Sequence, residues 1–348
     1  MILFEYGSDF HFPEIGSFNE SQKQFFLNVN NWQLLSSGRD ACFYLLENIP
    51  EWKKLWLPIY YCEDVVLQLQ HRFTNKIRFY NDSPEVFDDS PFSSLFTEGD
   101  VVLRTNYFGI RQPSYWKKVG VIQIFDLTHD LGQLFSERMN SADFVFASLR
   151  KTIPIPDGGI ASIVSEAKFL PQQNIAHEQS SNQRATAMAL KLAYLQGAIL
   201  DKRFWRNLFL ESEAHFGTIY LAKLSNISES ILPFINFKRL YQLKAENHKL
   251  FQEGLPPHVF YKWVGSFTTP FSVMLKFESK EHRDTVRLYL IQKGIYPAIY
   301  WPFSESYKEQ HGAKNLHFSE ISLSIPIDYR YGEIEVKQII QVLNEVIC

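Results

Sequence analysis

The chain has 348 residues, 45% of them hydrophobic and 16% aromatic, which is enough to bury the core of one large or two medium domains. A formal charge of -3 gives no electrostatic reason to expect nucleic acid or an anionic membrane as the main partner. No window reaches the roughly 18 apolar residues that a membrane span needs, and the N-terminus lacks the basic start and apolar run of a secretory signal. Cys42, Cys62 and Cys348 stand far apart with no CxxC pair, so neither a disulfide framework nor a zinc cluster is expected. The expectation is a cytoplasmic protein that binds a small molecule and holds no metal.

Residues 1–24 show no strong periodicity and read as an N-terminal arm. In "LLSSGRDACFYLLENI" (34–49) a loop opens into a helix, with Ser36 or Ser37 as cap and Ala41, Tyr44, Leu45 and Ile49 on one face. Apolar runs then alternate with helical segments: "KLWLPIYY", the helical "CEDVVLQLQHRF", "KIRFY", "GDVVLRTNYFG", "VGVIQIFD" and "ADFVFASL". That alternation predicts an α/β fold, a mostly parallel sheet of the seven-stranded type sandwiched by helices. "GIASIV" follows as a further strand, residues 181–223 carry a long helical periodicity, and "INFKRLYQLKAENHKLFQEGL" (235–255) is a second helix ending at Gly254. The domain boundary is set within this helix, giving a large domain over 25–240 and a smaller α+β domain over 241–348. In the latter "FSVMLKFES" and "ISLSIPI" read as strands, and "KEHRDTVRLYLIQKG" and "EIEVKQIIQVLNEVI" as helices.

In an open parallel sheet, ligands sit beyond the carboxyl ends of the strands. Those ends collect Tyr60 and Tyr61, Asn106, Asp126 with His129 three residues on, and Ser148 with Lys151 three residues on. Each has an ordinary reading: an aspartate after a strand is a turn or cap residue, a histidine or a tyrosine is a core side chain, and S-x-x-K is a short motif. Together they match the needs of pyridoxal phosphate. That cofactor needs a lysine amine for a Schiff base, kept partly neutral by desolvation or neighbouring cations, and Lys151 beside Arg150 answers to this. It needs a carboxylate against the pyridine nitrogen, for which Asp126 is the candidate, with His129 orienting it or touching the ring. Tyr60 or Tyr61 supplies a stacking face. The backbone N–H groups of Gly38, Arg39 and Asp40 at a helix start suit the phosphate, with the Ser148 hydroxyl added.

These pieces resemble the fold type I pyridoxal-phosphate enzymes, and most closely the DegT/DnrJ/EryC1/StrS aminotransferases. "SGRDACFYLL" is similar to that family's phosphate loop, "FDLTHD" to its acidic motif, "SLRKTIPIPDGGIAS" to its lysine segment, and "GIYPAIYWPF" with "LSIPIDYRY" to its small-domain segments. Ser148 stands three residues before the lysine where the family usually has five, and Tyr300 stands where a histidine before "WP" is common. The resemblance implies that Lys151 carries the cofactor, Asp126 pairs with the ring nitrogen and Gly38 to Asp40 hold the phosphate. It also implies a homodimer with shared sites and transfer of an amino group, from glutamate, to a keto acceptor such as a nucleotide-linked keto sugar. Lys151 then shuttles the proton as general base and acid, and Tyr300 and Trp301 line the substrate pocket or pack as core aromatics.

Three rivals use the same letters. The S-x-x-K of serine hydrolases needs a helix that Pro154 and Pro156 forbid, and no K-T-G follows. A fold type I lyase or dehydratase shares the whole constellation, although sugar dehydratases tend to carry histidine at the lysine position. A non-catalytic binding or regulatory protein on the same fold shares it too. "DKRFWRN" (201–207) mixes basic and aromatic residues and reads as an exposed helix start rather than a nucleic-acid contact.

Overall fold

The computed structural model describes residues 5–13, 32–111, 116–135, 143–163, 176–216, 221–257 and 270–347. Most of the predicted arm, residues 1–4 and 14–24, lies outside them. Their elements, in chain order, begin with β1 (Tyr6–Gly7), β2 (Trp32–Leu35), α1 (Gly38–Asn48), β3 (Lys54–Pro58), α2 (Glu63–Arg72), β4 (Ile77–Tyr80), β5 (Asp100–Thr105), β6 (Ile122–Asp126), β7 (Phe144–Ser148) and β8 (Gly159–Ile163). There follow α3 (Glu178–Leu195), α4 (Lys202–His215), α5 (Asn226–Ile231), α6 (Phe237–Gly254), β9 (Val273–Lys276), α7 (Lys280–Gln292), β10 (Ile295–Tyr296), α8 (Glu305–His311), α9 (Phe318–Ile321), β11 (Ser322–Ile325) and α10 (Glu333–Ile347). The chain divides into two compact units, one of residues 1–50 and 144–240, the other of 51–143 and 241–348.

In the first unit β8 pairs antiparallel with β2 on one side and with β7 on the other. Helix α1 starts where Ser37, extended at φ -151°, accepts a hydrogen bond from the Asp40 amide, which satisfies a donor of the first turn. Its apolar face, including Ala41, Tyr44 and Leu45, is buried as the spacing predicts. The long periodicity over 181–223 resolves into two helices rather than one. Gly197, at φ +95°, ends the first, because a left-handed residue cannot continue a right-handed helix. Ala187 and Met188 of α3 then pack on Trp205 and Phe209 of α4. "DKRFWRN" does open a helix: Asp201 caps it through the Arg203 amide, with Phe204 exposed and Trp205 buried.

In the second unit β4, β3, β5 and β6 pair side by side, all parallel. These four strands are parallel, whereas the three of the first unit pair antiparallel. All six residues of β5 are buried, including Arg104. The charge is matched: Arg104 donates to Asp89 at 2.5 Å and to Gln123 at 2.8 Å, and Arg111 forks onto Asp82 with its second nitrogen at 2.8 Å. Buried guanidinium groups survive only when paired in this way. β9 and β11 pair antiparallel, and α10 buries Val336, Ile339, Ile340 and Leu343 along one face. A Cβ on Gly254 would stand 2.8 Å from an Ile340 methyl, so the closing glycine of α6 allows this close approach. No described helix is long and apolar enough to cross a membrane.

Candidate active site

Five of the predicted residues belong to the first unit: Gly38, Arg39, Asp40, Ser148 and Lys151. Gly38 opens α1 hard against the end of β7, where a Cβ would stand 2.9 Å from the Cβ of Ser148. Gly159 is tighter still, since its Cβ would stand 2.0 Å from the Ser37 carbonyl oxygen. The two glycines therefore let the helix start, the end of β7 and the start of β8 close on one another. The Asp40 amide is taken by the Ser37 hydroxyl at 3.1 Å, while its carboxylate accepts from the hydroxyls of Ser36 at 2.6 Å and Ser37 at 2.7 Å. The Arg39 guanidinium donates to the Phe216 carbonyl at 3.0 Å. Asp40, Ser36, Ser37 and the Arg39 side chain thus build the cradle, and the backbone amides of Gly38 and Arg39 with the nearby Ser148 are its anion-facing chemistry.

Lys151 ends the 3-10 turn Leu149–Lys151 that follows β7, and its side chain is exposed. Beside it, Arg150 is buried and donates to Glu213 at 2.7 Å, and Glu213 also takes Arg184 at 3.3 Å. Burial pushes the Glu213 carboxyl up, but Arg150, Lys151 and Arg184 together hold it down at about 2. Lys151 thus shares the field of the Glu213 carboxylate with Arg150 and Arg184. Beyond it the chain makes neither helix nor strand up to Gly158, as Pro154 and Pro156 require. Asp157 fixes that exit: fully buried, it accepts from the Ser225 hydroxyl at 2.6 Å, the Ser225 amide at 3.1 Å and the Ser228 hydroxyl at the start of α5.

The other predicted residues, Tyr60, Tyr61, Asn106, Asp126, His129, Tyr300 and Trp301, belong to the second unit, and hydrogen bonds and ring contacts bring them together there. Asp126 ends β6, buried, and accepts from the Tyr61 hydroxyl at 2.6 Å and the Thr128 amide at 2.9 Å. Burial pushes its carboxyl above the usual range, against the pull of those donors. Among the described residues no lysine, arginine or histidine lies within ion-pair distance of it. The His129 ring lies 4.9 Å from Phe108, 4.5 Å from Phe271, 5.7 Å from Tyr300 and 5.5 Å from Trp301, centroid to centroid.

The two tyrosines separate. Tyr60 is fully buried, packed edge-on to Tyr107, Phe303 and Phe318, and donates to the Tyr300 carbonyl. It is the core aromatic of the pair. Tyr61 touches both Asp126 and the Trp301 ring, 5.6 Å away. Asn106 donates to Asp130 at 2.5 Å, and its side-chain oxygen is buried with no hydrogen-bond partner.

Sequence reasoning missed Asp157, Ser225, Ser228 and Glu213. The Asp-Gly-Gly of the lysine segment marked a turn, but the partners of Asp157 lie 68 to 71 residues away, with no local signal. It also missed Lys244 on α6, buried beside Phe271, because its helix was read for length and ending alone.

No model of a known protein family matches the chain, and no curated protein matches its sequence. Solved structures do. A Streptococcus pneumoniae protein described as a sugar aminotransferase, in its PMP form, matches with a TM-score of 0.63 at 15% identity, over 94% of this chain and 90% of that one. A DegT DnrJ EryC1 StrS aminotransferase from Brucella abortus gives 0.58 at 12% identity, over 94% and 88%. A GDP-4-keto-6-deoxymannose-3-dehydratase with bound GDP-perosamine gives 0.57 at 12% identity, over 90% and 88%. The chain therefore has the α/β fold of these proteins.

Proposed function

We propose that the protein is a pyridoxal-phosphate-dependent aminotransferase. The observation that carries this reading is Asp126, a buried carboxylate at the end of a parallel strand that has neutral donors but no cation in reach among the described residues. A protonated pyridine nitrogen is the kind of cation such a carboxylate lacks. The fold and the glycine cradle at Gly38 and Gly159 support it, because they leave a helix N-terminus beside Ser148 where a phosphate would be held.

Pyridoxal phosphate, when bound, supplies an electrophilic carbon and an electron sink. Asp126 holds the proton on the ring nitrogen, and Tyr61 fixes the carboxylate that does so. Ser148 and the amides of Gly38 and Arg39 would bind the phosphate, while Ser36 and Ser37 hold Asp40 at the helix start. Lys151 would hold the cofactor through its Nζ and, with that amine free, would move a proton to and from the substrate carbon. Arg150, Arg184 and Glu213 set the charge around that amine. His129, Tyr300 and Trp301 form an aromatic wall that orients the substrate and keeps water out.

The amino donor in this reading is glutamate, the acceptor a keto group on a nucleotide-linked sugar, and the working form a homodimer. The sugar aminotransferase among the structural neighbours supports the acceptor. A dehydratase with the same fold is the second reading, and Lys151, an amine able to form the Schiff base, favours transfer. Glutamate separates the two: an aminotransferase loaded with pyridoxal phosphate loses its visible absorbance when glutamate is added and regains it with a keto acceptor. Retention of the absorbance under saturating glutamate would reject the transfer.

A further inference from the structure

Around Asp130, in the second unit, two buried polar atoms have no hydrogen-bond partner among the described residues, and a buried lysine stands near the same aspartate. The Asn106 side-chain oxygen is the far end of the amide that binds Asp130 at 2.5 Å, on a residue only 2% exposed. The Tyr241 hydroxyl is buried and unpartnered, and its proton is held more tightly because of burial and the nearby Asp130 charge. Lys244, one turn further along α6, is 4% exposed. Its ammonium lies 5.2 Å from the Phe271 ring centroid and feels Asp328 and Asp130 without pairing to either; burial brings its pKa down to about 8.

Buried polar groups are nearly always satisfied, so two left over beside a buried ammonium need an occupant. The surroundings hold them there. Asn247, on the same helix, donates to the carbonyls of Ile327, Asp328 and Tyr331 and fastens the "IPIDYRY" segment, while Asp328 is neutralised by Arg330 at 2.6 Å. Phe271 lies between the cluster and His129, its ring 4.5 Å from the imidazole.

The donor set selects the ligand. Asn106 offers an acceptor, Lys244 donors, and Tyr241 either. A carboxylate or phosphate cannot donate to Asn106 and would face Asp130 and Asp328; an ammonium would face Lys244. A hydroxyl group donates once and accepts twice, which matches all three. We propose that Asn106, Tyr241 and Lys244 form a subsite for a hydroxyl group of a small polyhydroxylated ligand. Which half of the reaction it serves rests on the aminotransferase reading, but the binding does not. The same chemistry is met by trapped water, and the experiment separates the two.

The test uses full-length protein loaded with pyridoxal phosphate, and saturation-transfer NMR with D-glucose, D-galactose and D-mannose and their mono-deoxy forms. At least one hexose should bind, and removing one particular hydroxyl should weaken it about tenfold, the loss of one hydrogen bond to a charged group. Tyr241→Phe and Lys244→Met should each weaken the parent hexose by a similar factor and leave that deoxy form unchanged. Tyr241→Phe is conservative enough to fold if Lys244→Met is not. No hexose binding, equal weakening of parent and deoxy forms, or a crystal structure with ordered water only and no effect of either variant would each overturn the subsite. The visible absorbance of the loaded protein, recorded in parallel, distinguishes its failure from failure of the aminotransferase reading.

Discussion

The Tyr61 hydroxyl donates to the Asp126 carboxylate across 2.6 Å, joining residues 65 positions apart at the ends of β3 and β6. A tyrosine that had been one of an aromatic pair thereby becomes the partner of the acidic residue, while its neighbour Tyr60 is core. Tyr61→Phe removes one of the donors on Asp126. Absorbance titration should show affinity for pyridoxal phosphate falling about tenfold, whereas Tyr60→Phe should lower thermal stability and leave the affinity nearly unchanged.

Asp126→Asn should have opposite effects on the empty and the loaded protein. Burial raises the carboxyl pKa in the folded state, so this group favours folding at low pH. That contribution is lost as pH rises from its unfolded value, near 4, through the higher folded value. At pH 7 the empty protein carries a costly buried charge. Asn removes it, and calorimetry without cofactor should show a Tm a few degrees higher at pH 7, together with loss of most cofactor affinity. A variant less stable when empty would contradict this.

The glycine cradle gives a rank order. Gly159→Ala drives a Cβ to 2.0 Å from a backbone oxygen, which cannot move aside without shifting the helix start; Gly38→Ala meets the Ser148 side chain at 2.9 Å. Urea denaturation should show a loss of about 3 kcal/mol or more for Gly159→Ala and about 1–2 kcal/mol for Gly38→Ala. The milder variant should fold and bind the phosphate end of the cofactor less tightly.

Glu213 predicts an acid limb. Its carboxyl, pushed up by burial but held down at about 2 by Arg150, Lys151 and Arg184, stabilises the fold above its unfolded pKa near 4.5 and loses that contribution as pH falls towards 2. Its side chain is 46% exposed, so solvent screening limits the effect to about 1 kcal/mol or less. Glu213→Gln should flatten the pH dependence of stability between 4.5 and 2 and leave the profile above pH 5 unaltered in shape.

Much of the fold was legible because period and punctuation agree: alternation marked β3 to β8, and glycine marked the end of α6. The break at Gly197 was missed since α3 and α4 share one helical period across the turn. Antiparallel β2 was not read as a strand, as Trp32–Leu35 merges into the loop before α1. Of the site, the residue types at the strand ends were visible, because chain order fixes which residues follow a strand. Their partners were not. Asp157 with Ser225 and Glu213 with Arg150 are pairings between distant segments, and they leave no local pattern.

The most direct measurement is borohydride reduction of the purified protein loaded with pyridoxal phosphate, followed by peptide mapping. One equivalent of label should be found on Lys151, and Lys151→Ala should carry neither label nor visible absorbance while keeping its fold. Label on another lysine, or none on any, would contradict the assignment of Lys151.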